Sequence, residues 1–206
     1  MTLDLQPATP DMAPVASALI YLTMGKMADY LFGLGNAQNA QKLLTHLFRR
    51  KSNRFSYQFT KVPALSNEVV GLVISYSGRL MKSLEFPTAV NLVQERGVIE
   101  FNKFIKRALP LWGVKEAEND EYFISNIAVL PAYQGQGIGK FLLYHTEETA
   151  SKQGFKKISL TVDVKNEHAF RLYKKLGYKV IETIHIDSVP GKMEAGGFHR
   201  MVKILA

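Results

Sequence analysis

The 206-residue sequence contains no cysteine. This absence excludes disulfide bonds, thiolate zinc sites, iron–sulfur clusters and a cysteine nucleophile, and it suits a reducing compartment. A long apolar run is also missing, because Lys26 and Asp29 interrupt the most hydrophobic stretch, residues 13–34, which is too charged to span a bilayer. Asp4 stands where a signal peptide carries basic residues. We therefore expect a cytoplasmic protein with no membrane partner.

Internal repeats, low-complexity tracts and Gly/Ser linkers are absent from the sequence as well. We therefore expect a single domain over residues 1–206. Basic residues outnumber acidic ones by 26 to 18, which gives a formal net charge of +8. A basic surface favours anionic partners such as phosphorylated cofactors or nucleic acid. No aromatic RNA-recognition motif accompanies the charge, so we expect no nucleic-acid partner.

The hydrophobic periodicity predicts helices and strands along the whole chain. The predicted helices cover residues 10–31, beginning after an N-cap at Thr9, and 37–50. The predicted strands cover residues 2–7, 54–62, 68–77, 122–129, 157–164, 178–186 and 198–204. Between the third and fourth of these strands, residues 79–119 show helical spacing, with Pro87 as a break. Strands 122–129 and 157–164 are each followed by a helix, so the pattern indicates an α/β (α+β) sheet with at least one parallel pair.

A glycine-rich turn, Gln-Gly-Gln-Gly-Ile-Gly-Lys at residues 134–140, lies between a predicted strand and a predicted helix. Its glycines allow the main chain to approach a ligand, and the helix start adds about half a positive charge, so the turn suits a pyrophosphate. The dinucleotide fingerprint fits poorly, because position 142 holds leucine instead of its third glycine. A P-loop fits poorly too, because Phe141 follows Lys140 where serine or threonine is required.

A third pattern fits this turn. Gln134-x-x-Gly137-x-Gly139 resembles the Gln/Arg-x-x-Gly-x-Gly/Ala signature of the GNAT N-acetyltransferase superfamily, which binds acetyl-coenzyme A (acetyl-CoA). Residues 125–133 resemble the family's fourth strand and its exit, and residues 166–178 match its later Asn-x-x-Ala-x-x-Leu-Tyr-x-x-x-Gly-Phe/Tyr motif. The resemblance implies a mixed, mostly antiparallel twisted sheet of about six or seven strands flanked by helices. Residues 79–119 would then be a helical insertion between the third and fourth strands.

The resemblance also implies a set of cofactor contacts. Backbone groups of the fourth strand would pair with the pantetheine arm and polarise the acetyl carbonyl, while the amides of residues 135–140 would hold the pyrophosphate. The implied cofactor-binding residues are Ile127, Ala128, Val129, Gln134, Gly135, Gln136, Gly137, Ile138, Gly139, Lys140, Asn166 and Tyr173. Asn166 also suits the N-cap of its helix. Tyr173 is implied as the catalytic acid for the leaving thiolate, since a phenol with a pKa near 10 is protonated at neutral pH. A tyrosine on an apolar helix face is also commonly a core residue.

The general base is left open by the sequence. Several family members use a glutamate on the fourth strand, but Phe123 and Ser125 occupy that neighbourhood here. Glu121 and Asp163 are two further candidates. Ser125 or Asn126 acting through a water molecule is an equally good interpretation.

The acceptor is also open. The resemblance implies direct transfer from acetyl-CoA to a primary amine of a small molecule or amino-acid-like metabolite. Alternatives are a peptide N-terminus, a lysine, or a non-catalytic acyl-CoA-binding regulatory module. The insertion, residues 79–119 with Leu111 and Trp112, would form a flap over the acceptor, a homodimer contact or additional packing, and the loop 189–197 is another candidate wall. His145 and His168 have no partner at metal-ligand spacing, so we expect no metal site.

Overall fold

The computed structural model describes residues 3–66, 68–111, 113–186 and 196–205. The described helices are α1 (Ala13–Met24), α2 (Lys26–Leu31), α3 (Ala37–Arg49), α4 (Gly78–Ala108), α5 (Ile138–Lys152) and α6 (Glu167–Lys175). The described strands are β1 (Asp4–Pro7), β2 (Thr60–Leu65), β3 (Glu68–Val69), β4 (Gly71–Ser77), β5 (Glu121–Val129), β6 (Lys157–Asp163), β7 (Lys179–Ile186) and β8 (Gly196–Ile204). No helix in this part of the chain is long and apolar enough to cross a membrane.

The strands form one mixed sheet in the order β1-β2-β4-β5-β6-β8-β7, with β3 paired to β2. In the described part of the chain, β5 and β6 are the one parallel pair, and every other pair is antiparallel. The predicted mixed, mostly antiparallel fold is confirmed. The two-residue strand β3 brings the number of strands to eight, so the helical insertion lies between β4 and β5.

Both faces of the sheet are buried, which explains why β4 and β5 read as nearly continuous apolar runs. One hydrophobic cluster packs α1, α3 and α4 on the first face, with Leu44, Phe48 and Ile74 fully buried. The second cluster packs α5 and α6 on the opposite face around Leu142 and Ile158. The middle of the sheet is therefore closely packed on both faces and rigid.

The predicted first helix differs in the structure, because it breaks at Gly25. This residue has φ 51° and ψ −130°, a conformation that favours glycine, and it separates α1 from α2. The helix is also preceded by a 3-10 turn, Pro10–Met12, at which Thr9 makes no side-chain capping bond. The break ends α1 at Met24, and the neighbouring Thr23 contacts the sheet, where its side chain accepts a hydrogen bond from Asn126 of β5 at 2.7 Å.

Residues 54–59 were predicted to be strand, and this is wrong. They form a loop and a 3-10 turn, Tyr57–Phe59, and β2 begins only at Thr60. The buried Asn53 side chain donates to the carbonyl of Leu47 at 2.8 Å and accepts from the amide of Phe55 at 3.0 Å. Such side-chain to backbone bonds compete with the strand ladder and win here despite the aromatic composition.

The predicted break at Pro87 is also wrong, because α4 continues through this proline. Thr88 donates to the carbonyl of Leu84 at 2.6 Å and Asn91 donates to the carbonyl of Pro87 at 2.8 Å. Neither bond reaches the carbonyl of Ser83, which Pro87 leaves without its helical donor. The apolar contacts of the buried Leu84 and Leu92 hold the helix against the core on either side of the proline. The real interruption is Gly97, with φ 76° and ψ 167°, which divides α4 into two helices.

Candidate active site

A gap opens between β5 and β6 beyond Ile124 and Leu160, towards the C-terminal ends of both strands. The two strands pair over residues 121–124 and 157–160, and no pairing between them follows in the described residues. At the same place the register between β4 and β5 shifts, because Ile74 lies opposite Asn126 while Ser75 lies opposite Ile124. Ser125 is therefore the extra residue of a β-bulge, and a bulge increases the local twist that separates neighbouring strands.

Backbone groups of β5 point into this gap. The amide of Leu130 donates to the carbonyl of Val70 at 2.9 Å. Because hydrogen-bonded and non-hydrogen-bonded pairs alternate in an antiparallel ladder, Ala128 then also bonds to β4. The N–H and C=O groups of Ile127 and Val129 face the other way, towards the gap. The gap-side edge of β5 thus offers backbone donors and acceptors to an extended ligand.

The glycine-rich turn lies near the gap, just after the C-terminal end of β5. Six consecutive amides, those of residues 135–140, find no acceptor among the described residues, and the first amide of the segment to bond is Phe141, to the Gly137 carbonyl. Gly135 and Gly137 have φ of 77° and 84°, values that a side chain disfavours. The amides belong to the N-terminus of α5, so they form a concave anion site of positive potential.

Gln134 and Gln136 hold the turn through their side chains. Gln134 donates to the carbonyl of Val129 at 3.1 Å, which ties the turn to the end of β5. Gln136 donates to the carbonyl of Ala132 at 3.4 Å and does not line the cleft described below. Its predicted cofactor contact therefore has no support from its side chain.

The second predicted motif forms the start and the inner face of α6. Asn166 accepts a hydrogen bond from the amide of Ala169 at 3.1 Å, which confirms its predicted N-cap role. Tyr173 is 7% exposed, and its ring centroid lies 5.9 Å from that of Tyr178. Desolvation by burial raises the pKa of Tyr173 to about 12, so the phenol is protonated at neutral pH.

One open cleft of about 2280 Å³ joins these features. The predicted cofactor-binding residues that line it are Ile127, Ala128, Val129, Gln134, Gly135, Gly137, Ile138, Gly139, Lys140, Asn166 and Tyr173. The tertiary structure therefore brings the fourth-strand segment, the turn and the α6 motif to one surface, although they are spread over some 47 residues of sequence.

Among the candidate bases, Glu121 does not reach the cleft. Its carboxylate is buried, both oxygens accept from Arg200 at 2.6 Å, and one also accepts from the amide of Glu118 at 2.9 Å. A carboxylate held in this way is a structural partner of Arg200 and not a base for the reaction. Asp163 and Ser125 do line the cleft, and Asp163 is exposed there.

The histidines are separated. His168 lines the cleft at the start of α6, whereas His145 lies on α5 against Phe141, with Glu148 at 3.6 Å. Within residues 3–66, 68–111, 113–186 and 196–205, no group of three or more histidine, aspartate or glutamate residues could hold a metal ion.

The far half of the cleft was not predicted in detail. Its wall comes from the end of α1, from α2 and from the helical insertion, and includes the apolar residues Leu22, Met24, Met27, Leu31, Phe32, Met81, Leu92, Phe104 and Leu111. Trp112 and most of the loop 189–197, both expected near this wall, lie outside the described residues. The insertion had been identified from its helical pattern, but only the Gly25 break could have indicated that α1 ends at the cleft.

An ion pair that the sequence did not predict also lies in this half. Arg54 donates to Glu116 at 2.6 Å and to the hydroxyl of Tyr76 at 3.4 Å. Burial by itself lowers the pKa of Arg54, but the charge of Glu116 and the contact with Tyr76 outweigh it and keep the guanidinium charged. The partners are 62 residues apart, so no local pattern marks them.

Comparison with known proteins finds the same family that the sequence motifs resemble. Residues 66–178 match the model of the acetyltransferase (GNAT) family. Over 59 residues the chain is 42% identical to the ribosomal protein bS18-alanine N-acetyltransferase of Escherichia coli K12, which is 29% of this chain and 40% of that protein. The chain thus matches less than half the length of this curated relative.

Solved structures share the fold over nearly the whole chain. An N-acetyltransferase from Staphylococcus aureus Mu50 has a TM-score of 0.74 at 24% identity, covering 97% of this chain and 99% of that one. A GNAT family acetyltransferase from Elizabethkingia anophelis with acetyl-CoA bound has a TM-score of 0.54 at 16% identity, covering 98% of each chain. The family model covers more than half of the sequence. The chain therefore belongs to the acetyltransferase (GNAT) family.

Proposed function

We propose that this protein is an N-acetyltransferase that transfers the acetyl group of acetyl-CoA directly to a primary amine of a small molecule or amino-acid-like metabolite. The observation that carries the proposal is the row of six unbonded amides at residues 135–140, placed above the gap between β5 and β6. The row suits the pyrophosphate. The gap-side backbone of Ile127 and the N–H of Val129 suit the amide-containing pantetheine arm, while the Val129 carbonyl already accepts from Gln134. Tyr173 lines the same cleft and is our candidate for the acid that protonates the leaving sulfur.

In a direct transfer, the residues of this chain account for stabilisation of the oxyanion and for protonation of the leaving sulfur. Gap-side N–H groups of β5 hydrogen-bond the thioester carbonyl and stabilise the oxyanion that forms when the amine nitrogen attacks the carbonyl carbon. Tyr173 donates its proton to the sulfur as the carbon–sulfur bond breaks. Water in the cleft accepts the proton that the new amide nitrogen loses, and solvent returns a proton to Tyr173. The products are the N-acetylated amine and the free thiol.

The apolar half of the cleft supports a choice among amines. The surface there is mostly apolar and is contributed by Met24, Met27, Phe104 and Leu111. Burying an apolar body against such a wall contributes about 25 cal/mol for each Å² removed from water. Amines that carry an alkyl or aryl group should therefore be better acceptors than small polar amines. Since the insertion supplies part of this wall, it fits the role of an acceptor flap, while a homodimer contact through it stays a separate prediction.

A peptide N-terminus is the second candidate acceptor. It is favoured by the 42% identity, over 59 residues, to an enzyme that acetylates the alanine of ribosomal protein bS18. The cleft is also open at the surface, so it could admit the end of a chain.

Calorimetry and an acetylation panel would test the proposal. We expect saturable one-site binding of acetyl-CoA to the folded protein, followed by amine-dependent release of free thiol. The panel should contain alkylamines, arylalkylamines, amino-acid amides, a lysine peptide and a peptide with N-terminal alanine, and apolar amines should give the highest kcat/KM. Fastest turnover of the alanine peptide would favour the second candidate. Binding without transfer to any amine would indicate a regulatory module, and absence of binding would refute the proposal.

A further inference from the structure

Three hydrogen bonds join the bulge of β5 to the end of α1. Ser125 Oγ donates to Asn126 Oδ1 at 3.0 Å, and Asn126 Nδ2 donates to Thr23 Oγ1 at 2.7 Å. Thr23 Oγ1 in turn donates to the backbone carbonyl of Ile20 at 2.7 Å. Thr23, Ser125 and Asn126 all line the cleft, and Ser125 and Asn126 directly follow Ile124, the last residue of β5 that pairs with β6.

The donor and acceptor of each of these three hydrogen bonds are fixed at the Thr23 end. A backbone carbonyl can only accept, so the single hydroxyl hydrogen of Thr23 is committed to Ile20. Thr23 Oγ1 must then accept, which orients the Asn126 amide with its NH₂ group towards Thr23 and its oxygen towards Ser125. The single hydroxyl hydrogen of Ser125 is therefore committed to Asn126. What Ser125 presents to the cleft is lone pairs alone.

We propose that Ser125 Oγ accepts an N–H hydrogen bond from the acceptor amine, and that Asn126 and Thr23 position it by holding its own hydrogen away from the cleft. This inference rests on the proposed function and adds an acceptor-binding residue to it. A primary amine bound in this way uses one N–H on Ser125 and keeps its nitrogen lone pair for the thioester carbon. Ser125 holds the amine and takes no proton from it, so the chemical balance of the transfer is unchanged.

Four variants separate this role from a structural one. The probe is the panel amine with the highest kcat/KM, assayed at saturating acetyl-CoA. Ser125→Ala should raise its KM about tenfold, the effect of one lost hydrogen bond, and leave the Kd of acetyl-CoA unchanged. Thr23→Val should raise KM to a similar extent, because the Asn126 amide loses its acceptor and no longer holds the Ser125 hydrogen. Thr23→Ser keeps both bonds and should retain the wild-type KM.

Thr149→Val is the matched control. The Thr149 hydroxyl also donates to a carbonyl of its own helix, that of His145 at 2.7 Å, but it lies outside the cleft. Its KM should equal that of the wild type. If Thr23→Val lowers the melting temperature, Ser125→Ala still tests the proposal, because it leaves α1 unchanged.

A wild-type KM in Ser125→Ala would overturn the inference while leaving the proposed function intact, and so would a Thr23→Ser variant as impaired as Thr23→Val. A folded wild-type protein that binds no acetyl-CoA would refute the proposed function, and this inference with it.

Discussion

Replacing Tyr173 with phenylalanine removes one oxygen atom from the cleft and little else. The side chain is 7% exposed, and its ring packs against Tyr178, so phenylalanine keeps this contact. Burial is the cause of the raised pKa of Tyr173, and no hydrogen bond to a described residue contributes to it. The free energy of unfolding should therefore change by less than about 1 kcal/mol. A change in activity can then be assigned to the hydroxyl group.

The pKa sets the size of the expected effect. General acids contribute about 10²- to 10⁴-fold to the rate. A phenol whose pKa is raised to about 12 is a weaker acid than one at the ordinary value of about 10, so the lower end of this range applies. We expect kcat to fall about 100-fold, with the Kd of acetyl-CoA unchanged within about 2-fold. Because the phenol stays protonated below its pKa of about 12, Tyr173 should cause no basic limb in kcat between about pH 7 and pH 10.

The assay follows thiol release with a chromogenic reagent at saturating acetyl-CoA and amine, and calorimetry gives the Kd separately. Tyr122→Phe is a matched control, because Tyr122 is 6% exposed in the same hydrophobic cluster and does not line the cleft. Its kcat should stay at the wild-type value. A kcat for Tyr173→Phe within about 2-fold of wild type would show that Tyr173 is a core residue and not the acid.

The remaining predictions concern the glycine-rich turn, the buried Glu121–Arg200 ion pair and the wall of the cleft proposed for the acceptor. Gly139→Ala should leave the melting temperature and the Kd of acetyl-CoA unchanged within about 2-fold, since its Cβ would meet only Leu172 Cδ2, at 4.0 Å, and the family signature admits alanine at this position; a Kd about tenfold weaker would contradict this. Gly137→Ala, at φ 84°, should lower the free energy of unfolding by about 1–2 kcal/mol, and equal stability would refute the strain argument. Glu121→Gln removes the charge partner of buried Arg200 and should cost about 3–5 kcal/mol in denaturant unfolding, whereas a cost below about 1 kcal/mol would disprove the pairing. Phe104→Ala should raise KM for apolar amines and spare the Kd of acetyl-CoA; loss of acetyl-CoA binding would contradict its place in the acceptor wall.

Much of the candidate site follows from the sequence because its parts are local. The turn at residues 134–140 depends on left-handed glycines and on the start of a helix, and both are properties of adjacent residues. The same holds for the N-cap at Asn166, whose acceptor and donor are three positions apart. The alternation of apolar strands and helices likewise determines the mixed sheet, since each element needs a buried face.

Local pattern fails where side chains and backbone compete. The aromatic residues 54–59 read as strand, but the hydrogen bonds of Asn53 favour a turn. Pro87 reads as a helix end, but α4 continues through it, with Met81, Leu84 and Leu92 buried in the core on either side. For residues 54–59 local side-chain bonds override the strand pattern, and for Pro87 the tertiary packing overrides the local preference.

The half of the cleft that we propose for the acceptor was decided by the tertiary structure alone. Asn126 and Thr23 are 103 residues apart, and Arg54 and Glu116 are 62 apart, so their contacts leave no periodic signal in the chain. Glu121 reads as a candidate base until folding places it against Arg200, 79 residues away. The amino-acid sequence determined the row of unbonded amides in the glycine-rich turn, which is a matter of neighbouring residues. Which polar groups are left free to meet the amine depends on long-range pairing, and only the folded chain settles that.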